Sequence, residues 1–215
     1  DACQAGEYLD LNVEKLHADL LCLNGSKIYG PKGMGILFKR RGVEIEPIMY
    51  GGSQEFGFRP GTENVAGIIG LAKALELAHE QKEKNNKKTF ALRNYFWEKI
   101  QAKIKDVVLV GPELKMEKRL PNNLNVVFKG VEAESLILYL DHYGILCASG
   151  SACSTESKGP SHVLTSCFIT TKDGQSSIRF TLGKQTTRAD IDYVLKYLVP
   201  VVKELKRVKN LESGI

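Results

Sequence analysis

The sequence lacks any run of about 18 apolar residues, the length a membrane-spanning helix needs, so none is expected. Its first ten residues, DACQAGEYLD, contain neither a basic stretch nor an apolar one and do not read as a secretory signal peptide. There is no Cys-x-x-Cys. The five cysteines, Cys3, Cys22, Cys147, Cys153 and Cys167, are odd in number and carry no metal-ligand spacing. Neither a zinc site nor a disulfide framework is indicated, and a reducing compartment is expected, the cytoplasm or an organelle matrix. Internal repeats and low-complexity tracts are absent as well. So is a strong charge of one sign: the formal net charge is +5, with basic residues scattered or set beside acids, as in Glu80-Gln81-Lys82-Glu83-Lys84. That pattern reads as a solvated helix face and points away from nucleic acid.

What is present supports a folded enzyme-sized core. With 43% hydrophobic residues in 215, the chain can build one large or two small domains. Tyr8 to Leu16 reads as a polar connection. Ala18–Leu23 and Gly35–Lys39 are short apolar runs bounded by turn residues, the pattern of buried sheet strands. The span from Tyr50 to Asn64 is irregular and glycine-rich, and a loop of that length inside a compact protein is usually functional. Val65 to Phe96 reads as helix, with the polar stretch Glu80–Lys88 either continuing it or breaking it. A domain boundary is expected near Ala91. Beyond it, Val107–Val110, Asn125–Phe128, Ile145–Cys147 and Ser177–Leu182 read as strands. Glu132–Tyr143 reads as a helix with Leu136, Ile137, Tyr139 and Leu140 on its apolar side. A C-terminal helix over Arg188–Val208 has Thr187 as candidate N-cap and Asp190 and Asp192 in its early turns. Leu211 to Ile215 is expected to be disordered.

The chemistry-bearing feature is Asn24-Gly25-Ser26-Lys27-Ile28-Tyr29-Gly30-Pro31-Lys32-Gly33-Met34-Gly35. A lysine follows an apolar run and precedes glycines and a proline in turn spacing. That context holds an amine at the end of a strand, where it could form a Schiff base with a carbonyl cofactor. Three further segments keep it company: Asp1-Ala2-Cys3-Gln4, Ser149-Gly150-Ser151-Ala152-Cys153, and Ser177-Ile178-Arg179-Phe180.

On these segments, and on Gly51-Gly52-Ser53-Gln54-Glu55, Arg59-Pro60-Gly61-Thr62-Glu63-Asn64 and Pro160-Ser161-His162-Val163-Leu164 in the same order, the chain resembles the cysteine desulfurases. These are pyridoxal-phosphate (PLP) enzymes of the class V aminotransferase family, and the likeness is strongest to the NifS/IscS-like branch. The resemblance implies an α/β fold, PLP-dependent transferase fold type I. Residues 1–90 would be the C-terminal part of the large cofactor domain, and 91–215 a smaller α+β domain carrying the cysteine loop. It implies that Asp1 pairs with the pyridine nitrogen, Gln4 with the phenolic oxygen, and that Lys27 carries the cofactor and moves protons at the substrate α carbon. Asn24 and Ser26 stand where the family has serine and histidine against the cofactor phosphate. Ser26 lacks the charge and reach of histidine, which puts phosphate affinity in doubt. Thr62 would reach the phosphate bound by the other subunit of a homodimer. Arg179 would clamp the carboxylate of L-cysteine, since guanidinium matches carboxylate with two parallel hydrogen bonds. Cys153 would take the sulfur as a persulfide, for delivery to an acceptor or an iron–sulfur scaffold protein, in iron–sulfur cluster or thiolation pathways. His162 reads as structural, and Cys22, Cys147 and Cys167 as buried structural thiols.

The chain begins at the ring-binding aspartate, so a missing N-terminal half is expected to lie elsewhere, on another chain or in a longer protein. A fragment, half of a split enzyme and a remnant all remain open, and the chain on its own is not expected to turn over cysteine. Two other readings stay beside the desulfurase: a non-catalytic binding module and a selenocysteine lyase. Retention of Lys27, Cys153 and Arg179 weighs against the module.

Overall fold

Alternation sets the first pair of strands. In β1, Leu20–Asn24, Leu21 and Leu23 are buried while the residues between and around them are not, the period of a strand with one covered face. β1 pairs antiparallel with β2, Gly35–Lys39, in a register running from Leu20 opposite Lys39 to Asn24 opposite Gly35. The computed structural model describes residues 1–115, 117–149 and 161–212. β2 matches the sequence expectation. β1 starts later than Ala18 and takes in Asn24, because the connection closes tightly: Gly25 N–H donates to the Met34 carbonyl at 2.8 Å.

The chain forms two compact units, Asp1–Lys84 and Asn85–Ile215. The first holds the β1–β2 hairpin and two small apolar clusters. Ala2, Leu21 and Leu23 make one. Ile28, from the turn after β1, makes the other with Leu71 and Ala78. Leu71 and Ala78 belong to α1, Val65–Lys103, whose residues from Asn85 onward belong to the second unit. This helix runs without a break through Glu80–Lys88. Glu, Gln and Lys are good helix formers, and Asn85 and Thr89 are buried rather than on the solvated face the charges suggested.

The second unit is an α+β layer. Its sheet has the order β3-β4-β5, all antiparallel, with β3 Val107–Leu109, β4 Asn123–Phe128 and β5 Ser177–Thr181. Leu124, Val126 and Phe128 of β4, and Ile178 and Phe180 of β5, are buried in one core. Phe96, Ile100 and Ile104 join that core, with Leu136 and Leu140 of α2, Ala133–His142, and Leu195, Leu198 and Val202 of α5, Arg188–Glu212. A second cluster unites Val110 and Val127 with Leu164 of the short α3, His162–Ser166. A single-turn helix, α4 (Thr171–Gly174), leads into β5.

Arg93 of α1 is fully buried and fixes the chain before β4. Its guanidinium donates to the carbonyls of Leu120 at 2.8 Å and Leu114 at 3.1 Å, and to Asn94 Oδ1. Burial, with Arg119 nearby, pulls its pKa down to about 10, so it stays charged at neutral pH with neutral acceptors.

Four expectations change. Ile145–Cys147 is not a strand: among the described residues, the one ladder contact there is a bridge between Ala148 and Arg179. Tyr139 is half-exposed, so the buried side of α2 is Ala133, Leu136 and Leu140. Cys22, Cys147 and Cys167 are only partly buried. Residues 211 and 212 continue α5. The N-cap of α5 is as expected, and it is reciprocal: Thr187 N–H donates to Asp190 Oδ2 at 2.8 Å while Asp190 N–H donates to Thr187 Oγ1 at 3.3 Å.

Candidate cofactor site

The lysine turn is built by its own backbone. Gly25–Ile28 forms a 3-10 turn, and Asn24 caps it: Asn24 Oδ1 accepts from Ser26 N–H at 2.9 Å and from the Ser26 hydroxyl at 2.8 Å. The turn ends at Tyr29 in the left-handed region, φ 61°, and Gly30 N–H returns to the Gly25 carbonyl at 2.8 Å. A Cβ on Gly25 would sit 2.9 Å from the Pro31 carbonyl oxygen and 3.0 Å from that of Met34, so only glycine fits. Ile28 is the anchor, buried beneath the turn. Lys27 is thereby carried on a rigid loop with its side chain exposed.

The N-terminal segment is stapled to the same strand. Ala2 N–H donates to the Cys22 carbonyl at 3.0 Å, and Asp1 Oδ1 accepts from Cys3 N–H at 2.8 Å. Between this segment and the turn lies an open groove of about 560 Å³, lined by Cys3, Leu23, Asn24, Ser26 and Lys32–Gly35. Asp1, Gln4 and Lys27 are exposed on the elements that carry those lining residues. The structure therefore brings the Asp-Ala-x-Gln segment and the lysine turn together. Thr62 is exposed and is not among the groove's lining residues. It sits in the irregular segment next to Gly61, whose N–H donates to Gln54 Oε1 at 3.2 Å.

Arg179 lies in the second unit. It is half-buried on β5, opposite Asn125 of β4. Its backbone N–H donates to the Ala148 carbonyl at 2.7 Å, and its own carbonyl accepts from Ala148 N–H at 3.2 Å. Arg179 is thus fixed beside the stem of the segment that leads to Cys153; Cys153 itself lies outside the described residues. His162, the first residue of α3, is exposed. Cys147, adjoining that stem, has its thiol pushed up to about 11 by burial, with Asp141 adding to the shift. It is protonated and unreactive at neutral pH. One grouping escaped the sequence reading, the approach of Cys22 to Cys3 and Asp1. The alternation of β1 was its only signal, since Cys22 and Asn24 share a strand face.

The aminotransferase class-V family model matches residues 1–194, and the chain belongs to that family. Among its curated relatives are proteins named cysteine desulfurase IscS. That of Dictyoglomus turgidum is 45% identical over 97% of this chain and 52% of its own length. That of Clostridium botulinum is 44% identical over 98% of this chain and 53% of its own. The chain thus spans about half the length of the curated relatives it matches. The same is true of solved structures: a NifS-like protein at 32% identity superposes with a TM-score of 0.81 over 94% of this chain and 51% of that one. A NifS-like protein from Rickettsia africae, 28% identical, gives 0.84 over 94% and 52%.

Membership in this family implies use of PLP. The donor set fits such a group. Asp1 has one carboxylate oxygen uncommitted to Cys3, Lys27 is an exposed primary amine on a rigid turn, and Cys3 and Ser26, near them in sequence, line one open groove. The phosphate end is the weakest match. The Ser26 hydroxyl proton is spent on Asn24 Oδ1, which leaves the Asn24 amide and the loop's backbone N–H groups as donors.

Proposed function

We propose that this chain is the C-terminal part of a PLP-dependent cysteine desulfurase, which converts L-cysteine to L-alanine and leaves a persulfide on Cys153. The observation that carries the reading is the capped lysine turn at the end of the strand to which the Asp1–Gln4 segment is hydrogen-bonded, in a chain 45% identical to a protein named cysteine desulfurase. Residues 1–90 supply cofactor-holding groups, and residues 91–215 form the small domain with the cysteine loop.

When bound, PLP acts as the electron sink for bond changes at the substrate α carbon. Asp1 would keep the ring nitrogen protonated, and Gln4 would donate to the phenolic oxygen. Asn24 and Ser26 would hold the phosphate. The Lys27 amine would hold the cofactor and then move a proton at the α carbon. Arg179 binds the carboxylate of L-cysteine with its planar fork, oriented by the β4–β5–Ala148 backbone contacts. The Cys153 thiolate attacks the substrate sulfur: the substrate C–S bond breaks, an S–S bond forms on Cys153, and the carbon takes a proton to leave as alanine. A sulfur-acceptor or iron–sulfur scaffold protein then receives the outer sulfur. Thr62, exposed and not lining the groove, fits a role toward the cofactor phosphate of a second subunit in a homodimer. The protein works in the cytoplasm or an organelle matrix.

Adding PLP to the purified chain, reducing with borohydride and mapping the peptides tests the cofactor half of this reading. The expected result is a stable pyridoxyl label on Lys27 that disappears in Lys27→Ala. Labelling spread over surface lysines, unchanged in that variant, would overturn it.

A further inference from the structure

Cys22 leaves β1 on the face opposite Leu21 and Leu23, and its strand neighbours on that face are Leu20 and Asn24. The Ala2–Cys22 backbone bond draws residues 1–3 across the strand, and the Cys3 thiol lies 3.9 Å from the Cys22 carbonyl oxygen. A carboxylate oxygen of Asp1 and the sulfurs of Cys3 and Cys22 consequently all lie within 4.8 Å of one another. This is the one such grouping of three potential metal ligands among the described residues. It also has an open approach, because Cys3 lines the groove of about 560 Å³.

We propose that Asp1, Cys3 and Cys22 bind a thiophilic divalent cation of the zinc class. Two thiolates on a tetrahedral zinc stand about 3.8 Å apart, given metal–sulfur bonds of about 2.3 Å, so the observed grouping closes by small side-chain rotations. Two sulfurs and one oxygen favour zinc over magnesium or calcium, which take oxygen sets. Both thiols release their protons to solvent on binding. The carboxylate is the third ligand, and the fourth position opens on the groove and takes water. The cation site needs no cofactor. One consequence does rest on the proposed function: Asp1 cannot serve a cation and a ring nitrogen together, so the cation-loaded chain should take up PLP poorly.

The test is a titration of the reduced 215-residue chain with Co²⁺ in the absence of PLP. One equivalent should raise a near-ultraviolet thiolate-to-cobalt charge-transfer band, and Zn²⁺ should bleach it. The band should fall by about half or more in Cys3→Ser and in Cys22→Ser, and persist in Cys147→Ser. Alkylation mapping of the unmutated chain avoids any folding defect in the variants: Zn²⁺ should protect Cys3 and Cys22 from maleimide while Cys153 remains labelled. No band, a band unchanged in both variants, no protection, or a Cys3–Cys22 disulfide that forms in place of metal binding would each overturn the proposal. Failure of PLP to label Lys27 without metal would strike the functional reading and leave the titration standing.

Discussion

The two units are stabilised differently. The second buries Phe96, Ile100, Leu124, Phe128, Leu136, Ile178 and Leu198 in one continuous core around a three-stranded sheet. The first has a two-stranded hairpin and clusters of a few residues each, while Ile48, Tyr50, Phe56 and Ile69 stand exposed. An isolated two-stranded hairpin is marginal in water. The hairpin owes its shape to backbone closure, the Gly25–Met34 and Ala2–Cys22 bonds and the Asn24 cap, more than to buried area. Rigid turn chemistry can thus present an exposed amine without a large core beneath it. Arg179, the proposed substrate clamp, is instead held by a sheet with a full core behind it.

The largest effect should separate the two modes. Phe96→Ala opens a cavity at the centre of the second unit, beside Phe180, whose ring lies 5.0 Å away edge-on. It should destabilise by about 3–5 kcal/mol in urea titrations. Leu71→Ala, in the small cluster under the lysine turn, should cost about 2 kcal/mol, since few neighbours lose contact there. Equal losses at the two positions would break the contrast.

Next in size is Gly25→Ala. The new methyl meets two backbone carbonyl oxygens, at 2.9 and 3.0 Å, that cannot move without opening the loop. The expected loss is about 1–3 kcal/mol. Its sharper signature is functional: borohydride-trapped PLP at Lys27 should drop at least severalfold, while the circular dichroism of the second unit's sheet is kept. Full labelling in Gly25→Ala would mean that Lys27 needs no preformed turn.

Elements whose cause is local could be read from sequence. β2 is bounded by Gly35 and Arg40, and its range was correct; the Thr187 cap marked the start of α5 because a threonine and an acid three residues apart satisfy each other's N–H groups. The strand that carries Arg179 was legible from its short apolar run. Features caused by distant partners were not. Glu80–Lys88 stayed ambiguous because burial of Asn85 and Thr89 depends on tertiary packing. Ile145–Cys147 looked like a strand from composition, yet only Ala148 meets β5. The exposure of Lys27 and the meeting of Cys3 with Cys22 both follow from how separate segments are stapled, which spacing in sequence does not encode.

The smallest prediction compares one exposed carboxylate from each unit. Asp190 accepts from Thr187 N–H and hydroxyl, at 2.8 and 2.9 Å, and the backbone bond leads in holding its pKa below the usual carboxylate value. Asp10 is lowered chiefly by the Lys15 ammonium, 3.1 Å away, with a second contribution from Asn12 N–H. In both cases the folded pKa is depressed. The unfolded chain therefore binds more protons in the acid range, and the stabilisation is complete above the unfolded value of about 3.9 and lost as pH falls through the folded one. Urea midpoints from pH 6 downward, wild type against Asp190→Asn and against Asp10→Asn, should show a difference that shrinks below about pH 4 in each pair. Salt then separates them. At about 1 M salt the screening length is about 3 Å, so the Asp10 difference, resting on an exposed ion pair, should fade. The Asp190 difference rests on a helix cap and should persist, and Thr187→Ala, which deletes the hydroxyl bond but keeps the leading backbone bond, should shrink it and cost about 1 kcal/mol of stability. Equal salt sensitivity would show that Asp190 is held by nearby cations such as Lys88 rather than by its cap.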